Sequence, residues 1–255
     1  MIFDTHAHYD DEKFDEDRDS LLKELHENSI AYILNASADL GSLDASMELS
    51  GKYDFIYAAL GVHPHYAEEM NEEVIEKIRR LSQNSKVVAI GEIGLDYYYD
   101  NSPRDIQKYW FERQIELAKE LDLPIIIHDR DAHEDTVNII KKTNAKLVGG
   151  IFHCFSGSRE MAMDMLKHNL YIAVGGPVTF KNSKKIKEVV EAVPLDKLVV
   201  ETDCPYLTPE PHRGKRNNSG YLVHTIEKIA EIKGISPAEV SEATLNNAKK
   251  VFKLI

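Results

Sequence analysis

Short runs of β-branched and apolar residues recur along the chain, each followed by a longer amphipathic stretch rich in charge, about eight times in succession. The pattern predicts strands over residues 2–6, 31–36, 55–62, 87–93, 124–128, 147–153, 171–174 and 198–202. It predicts helices over 15–28, 40–50, 72–82, 103–121, 133–142, 158–168, 183–192 and 219–233, with a last helix from about Ser236. Strands that alternate with helices imply a parallel sheet with helical crossovers. A doubly wound open sheet competes, but the number of units and the lack of a Gly-rich phosphate fingerprint after the first strand favour a closed barrel. The 255 residues suit such a barrel as one domain. No linker, repeat or low-complexity segment interrupts them, so the expected fold is a single-domain α/β protein, a TIM (β/α)8 barrel, over residues 1–255.

Local chemistry supports several boundaries. Ser158 is placed to cap one helix, and Ser236-Pro237 puts proline at the first position of another. In the fourth helix Trp110, Gln114, Leu117 and Leu121 share one side, opposite charged residues.

A formal charge of −12 excludes a broadly basic nucleic-acid-coating surface, because such binding rests on Lys and Arg neutralising phosphates. It leaves room for a local basic strip, or for bound cations that supply positive charge. Two cysteines, Cys154 and Cys204, argue for a reducing compartment over a disulfide scaffold. No signal-peptide pattern opens the chain and no apolar run reaches the roughly 20 residues that span a bilayer. The expected location is cytoplasmic, with no membrane and no obligatory protein partner in evidence.

The chemistry concentrates at strand ends. His6 and His8 stand two apart at the end of the first strand, so an extended backbone turns both to one face. Glu92 ends the fourth strand, His128 the fifth, His153 the sixth, and Asp203 the eighth. In a barrel these ends converge on one rim, where active sites of this fold lie. Imidazoles and carboxylates meeting there suit Zn2+, Mn2+ or a similar ion. Six donors exceed the needs of one tetrahedral ion, so two divalent cations sharing a carboxylate fit better. Water activated there becomes a nucleophile, with Asp203 orienting it and taking its proton. Asp203 and Glu92 are the expected catalytic carboxylates.

The segments Asp4-Thr5-His6-Ala7-His8, Gly61-Val62-His63-Pro64-His65, Gly91-Glu92-Ile93-Gly94-Leu95-Asp96-Tyr97, His128-Asp129-Arg130, His153-Cys154-Phe155-Ser156-Gly157 and Glu201-Thr202-Asp203-Cys204-Pro205-Tyr206 resemble the TatD family of metal-dependent deoxyribonucleases. The resemblance runs in order from near residue 2 past the Arg213-Gly214-Lys215-Arg216-Asn217 loop. It implies that His6, His8 and Asp203 hold one ion, His128 and His153 the other, and that Glu92 bridges them. It implies a DNA substrate and Mg2+-supported nuclease activity, whereas the histidines favour Zn2+ or Mn2+.

Around these ligands, Arg130 is placed to share the face of His128 and grip a phosphate. His63 and His65 could contact substrate or donate to a leaving group. Arg213, Lys215 and Arg216 form one compact basic loop, either tracking a nucleic-acid backbone or simply solvated. Glu201 faces inward as a supporting carboxylate or serves the barrel. Alternation turns Cys154 and Cys204 away from the ions. His26, His168 and His224 fall in helices and read as surface or capping groups. Tyr97, Tyr98 and Tyr99 offer either a stacking face for bases or loop packing. The leading function is DNA phosphodiester hydrolysis. Amide or ester hydrolysis, as in an aminoacyl-tRNA deacylase, shares the ligand set, and a non-catalytic metal-bearing scaffold is the third reading.

Overall fold

The computed structural model describes residues 1–254. Eight strands pair in parallel in chain order: β1 (Ile2–Ala7), β2 (Ile30–Ala36), β3 (Ile56–Leu60), β4 (Val87–Asp96), β5 (Ile125–Arg130), β6 (Gly150–Phe152), β7 (Leu170–Val174) and β8 (Leu198–Val200). The helices that return the chain are α1 (Arg18–Asn28), α2 (Leu40–Lys52), α3 (Glu72–Leu81), α4 (Arg104–Leu121), α5 (His133–Lys142), α6 (Arg159–Leu166), α7 (Lys184–Ala192) and α8 (Leu222–Lys233), followed by α9 (Pro237–Val251). This is the (β/α)8 barrel that the alternation implies.

Side chains sort into two apolar layers. Ile33, Leu60, Ile90, Ile127, Ile172 and Val200 face outward and pack with Leu22, Leu43, Ile75 and Phe111 of the helices. A second cluster takes residues from every strand, among them Phe3, Leu34, Ala59, Ala89, Ile126, Ile151, Ala173 and Val199. Its buried helical members among the described residues are Ala248 and Val251 of α9, with Phe252 just beyond, so this cluster fills the barrel and α9 plugs its lower end. Phe252 and Phe3 hold their ring centroids 5.4 Å apart there. Pro237 stands in the first turn of α9 and Ser158 caps α6, both as the sequence predicts, and Ser236 and Glu239 add a capping box at the start of α9.

The joint between β1 and β8 is built differently from the rest. Among the described residues its only strand-type pairing is the bridge of Ala7 with Cys204. Two backbone bonds flank it, Asp203 N–H to His6 O and His8 N–H to Cys204 O, both 2.9 Å. Side chains complete the seam: Thr5 donates to Val200 O at 3.0 Å, and buried Asp4 accepts from Thr202 Oγ1 at 2.6 Å and Ser219 Oγ at 2.7 Å. Burial lifts the Asp4 carboxyl to about 7 despite these hydrogen bonds.

Two strand limits differ from expectation by three residues, and the others by two or fewer. Leu147 lies in a 3-10 turn over Ala145–Leu147 and is 66% exposed, so β6 starts at Gly150. Asn144 (φ 52°) and Gly149 (φ 65°) adopt left-handed backbone that breaks the extended run. At the other end β4 continues past Glu92 to Asp96, which places Glu92 within the strand. Gly94 permits this: its φ is +149° and a Cβ would stand 1.9 Å from His128 O.

Candidate metal centre

Two strands turn their ligands inward by breaking step. Phe3 belongs to the barrel interior and Ala7 to the outer layer, a change of phase that coincides with a register shift between Asp4 and Ala7. His6 and His8 thereby face the mouth. In β4 a shift between Ile90 and Ile93 does the same for Glu92. On the remaining strands ordinary alternation suffices for His128, His153 and Glu201, since Ile126, Ile151 and Val199 precede them by two, whereas Asp203 lies beyond β8 with φ 57°.

The six predicted ligands meet at one point. His6 Nε2 stands 3.1 Å from His8 Nε2 and 3.1 Å from Glu92 Oε2. Asp203 Oδ1 lies 3.8 Å from His6 Nε2 and 3.4 Å from His8 Nε2, and His8 Nε2 is 3.7 Å from Glu92 Oε2. The other oxygen, Glu92 Oε1, faces a separate set: His128 Nδ1 at 2.7 Å and His153 Nε2 at 3.6 Å. Donors bound to a tetrahedral ion at about 2.0–2.1 Å stand about 3.3 Å apart. The distances around His6 and His8 bracket that spacing, so the residues fit a bound divalent cation, with the second Glu92 oxygen turned to His128 and His153.

Hydrogen bonds on the far side of each ring fix which nitrogen is free. His8 Nδ1 donates to Ala36 O at 2.9 Å and His153 Nδ1 to Glu201 Oε2 at 2.9 Å, leaving each Nε2 for a metal. Asp96 Oδ2 accepts from His128 Nε2 at 3.0 Å, which leaves Nδ1. His63 is different. Its Nδ1 accepts the His65 backbone N–H at 3.1 Å, so a neutral His63 carries its proton on Nε2 and presents a donor, 3.6 Å from Glu92 Oε1. His6 is fully buried with an unpartnered Nδ1, costly to retain unless Nε2 gains a strong bond, which a cation supplies.

Protonation tells the same story. Burial opposes charge throughout, yet Asp203 and Glu92 raise His8 to about 9, Asp96 and Glu92 raise His128 to about 9, and Glu201 and Glu92 raise His153 to about 10. Burial would raise Glu92 too, but His6, His153 and His63 hold it well below the usual carboxylate range. Burial and the neighbouring His128 push His63 well down, which keeps it neutral. Carboxylates here draw protons onto histidines because the cluster is shaped for positive charge at its centre.

The family model described as TatD related DNase matches residues 3–253. The chain belongs to the TatD family. YabD of Bacillus subtilis strain 168, an uncharacterized metal-dependent hydrolase, is 50% identical over 254 residues, with 100% of each chain covered. The 3'-5' ssDNA/RNA exonuclease TatD of Erwinia tasmaniensis is 32% identical, covering 99% of this chain and 100% of that one. In the crystal structure of YJJV, a TatD homolog from Escherichia coli K12, the fold recurs with a TM-score of 0.92 and 29% identity, over 99% and 98% of the two chains. The chain is a metal-dependent hydrolase of the TatD family on a single-domain barrel. No helix of the described residues is long and apolar enough to cross a membrane.

The rest of the predicted surroundings of this TatD centre divide. His63 and His65 line it, and His65 Nε2 donates to Asp96 Oδ2 at 3.0 Å. Glu201 grips both the His153 ring and the Cys154 N–H (2.6 Å). Arg130 is exposed, its guanidinium 4.0 Å from the Tyr98 ring centroid and 4.8 Å from that of Tyr99. Arg213 is exposed and lies 3.8 Å over Phe180, whereas Arg216 is tied to Asp17 at 2.6 Å and holds the loop to the start of α1. His26 of α1 bonds Ile30 O of β2 at 3.0 Å and stacks on Phe55, so it ties helix to strand rather than capping α1.

One expectation is corrected. Cys154 turns toward the centre: its sulfur lies within 4.8 Å of ligand atoms of both His153 and Asp203. Strand alternation fails because β6 ends at Phe152 and Cys154 has φ 42°. Burial, reinforced by Asp203, keeps the thiol protonated. Three supports lie outside the predicted set: Asp96, Gln107 and Gln114. Gln107 brackets the backbone of Asp96 (2.9 and 3.2 Å), and Gln114 brackets that of Val62 (2.8 and 3.1 Å), so α4 sets the ends of two strands. Asp96 shares the parity of Glu92 in the quoted motif, a signal that could have marked it.

Proposed function

We propose that the chain is a nuclease that hydrolyses phosphodiester bonds, DNA foremost, at a centre for two divalent cations (Mg2+, Mn2+ or Zn2+). The observation that carries this reading is the divided Glu92 carboxylate, with one oxygen toward His6, His8 and Asp203 and the other toward His128 and His153. Two cations held there would bind phosphoryl oxygens, offset the charge that builds on them, and make water acidic enough to attack near neutral pH. Asp203 is 18% exposed, at the open side of the cluster, and the histidines around it hold it below the usual range against its burial. It is therefore an anionic oxygen available to take a proton from the attacking water. Neutral His63 offers Nε2–H to an oxygen of the substrate or leaving group. Arg130 at the end of β5 and Arg213 in the loop after β8 add exposed cations that suit a backbone of phosphates.

Relatives named as DNase and as ssDNA/RNA exonuclease support a nucleic-acid substrate over the ester or amide alternative. The test is cleavage of single-stranded and duplex DNA by protein loaded with each metal in turn. Asp203→Ala should lower the rate about 10²–10⁴-fold, the span that a positioned proton acceptor contributes. Equal rates for the variant and the unaltered protein would remove the proposal.

A further inference from the structure

Beside the His128 half of the centre stands an aromatic surface that catalysis leaves unused. Tyr98 and Tyr99 follow β4 directly and are 58% and 55% exposed. Their rings meet edge to face at 4.9 Å, and Arg130 lies over both. Tyr97, by contrast, is spent on packing: its hydroxyl donates to Asp135 at 2.6 Å and Arg104 covers its ring at 4.2 Å.

Exposure here does not come from looseness. The backbone N–H groups of Tyr98 and Tyr99 both donate to Asp96 Oδ1, at 3.0 and 2.9 Å. The other oxygen of that carboxylate accepts from His128 and His65. One buried residue therefore fixes the tyrosine loop and a candidate metal ligand in a common frame. The Tyr99 ring reaches His65 edge-on, 5.3 Å between centroids. Two large aromatic rings held rigidly in water lose apolar burial without return unless something covers them.

We propose that Tyr98, Tyr99 and Arg130 form a subsite for one unstacked nucleobase of a single strand whose phosphate lies at the metal centre. The inference rests on the nuclease reading above and adds the base to it. The chemistry matches: any base has a π face that can stack on a phenol ring, and a guanidinium contributes to the stack and attracts the adjoining phosphate. Such a site favours strands whose bases are free, and it tolerates every base.

The test uses metal-loaded protein and a short single-stranded oligonucleotide in which one residue at a time is replaced by base-free tetrahydrofuran. For the unaltered protein, removal of the base at one position near the cleaved bond should lower kcat/KM about 5- to 150-fold, the worth of one base stack. Tyr98→Ala/Tyr99→Ala should lose the same factor on the intact strand and become indifferent to the base at that position. Tyr98→Phe/Tyr99→Phe should behave as the unaltered protein. An alanine variant that still senses the missing base overturns the subsite. So does one that falls equally on intact and base-free strands, which marks mere support of Asp96. If the unaltered protein cleaves DNA without sensing any base, the subsite fails and the nuclease reading stands. If it cleaves no DNA, the nuclease reading fails, and anisotropy with the labelled strands decides the subsite: binding that needs both the base and the two tyrosines keeps it, any other result overturns it.

Discussion

Both oxygens of Asp96 are occupied, one by two imidazoles and one by two backbone amides, in a side chain with no exposure to solvent. His128 and His65 hold it far below the usual carboxylate range against its burial, so it is a permanent anion. Asp96→Asn keeps the shape and removes the charge that orients His128. The variant should bind the second cation about 10–100-fold more weakly while the first is little changed. Calorimetric titration with Mn2+ or Zn2+ would show two well-separated affinities where the parent shows two closer ones. The six candidate ligands, which the fold brings together, stand out in the sequence because histidine and carboxylate at strand ends have few other uses in one place. The role of Asp96 was not, since nothing local distinguishes a carboxylate that holds a ligand from one that caps a turn. The orientation of Cys154 was misread because a single left-handed residue cancels the rule of alternation.

At the scale of the element, existence was easier to read than phase. Every predicted strand and helix is present, because each buries an apolar face whose period is set by its backbone. What the periodicity lacks is the pair of register shifts in β1 and β4, which depend on neighbouring strands. His6 and His8 share one face, as expected, and it is the inward one, although strict alternation from Phe3 would have pointed them outward. In β4 the glycine at 94 is the enabling residue. Gly94→Ala would set a Cβ against His128 O in a backbone region that alanine avoids. It should cost at least about 1–3 kcal/mol. For a chain of this size each kcal/mol lowers Tm by about 2–4 °C. Thermal unfolding of the metal-free variant beside its parent measures this, and an unchanged Tm would show that the two strands can part without cost.

Across the whole molecule, stability and metal content are linked through protons. In the metal-free protein His8 and His128 titrate near 9 and His153 near 10, against about 6.5 in an unfolded chain. Their folded pKa values are raised, so their contribution is complete below about pH 6.5 and is lost as pH climbs through 9 to 10. Asp4, raised to about 7, acts in the same direction between its unfolded value and neutrality. Metal-free protein should therefore lose stability on going from pH 6.5 to 10. A cation requires these rings unprotonated, so binding releases protons and tightens with pH. The rise in Tm on adding metal should grow over that interval, which calorimetry at pH 6.5, 8 and 9.5 would reveal. A rise that shrinks with pH would contradict the protonation pattern.

The seam between β1 and β8 would give a cation held by His6, His8 and Asp203 a second task. His6 and His8 stand on one side of that joint and Asp203 on the other, and little backbone hydrogen bonding crosses it. An ion gripping all three would act as a rivet through the edge where the cylinder is least securely stitched. Chemistry and enclosure would then depend on one coordination sphere, and a chelator that silenced the enzyme would also loosen the wall around it.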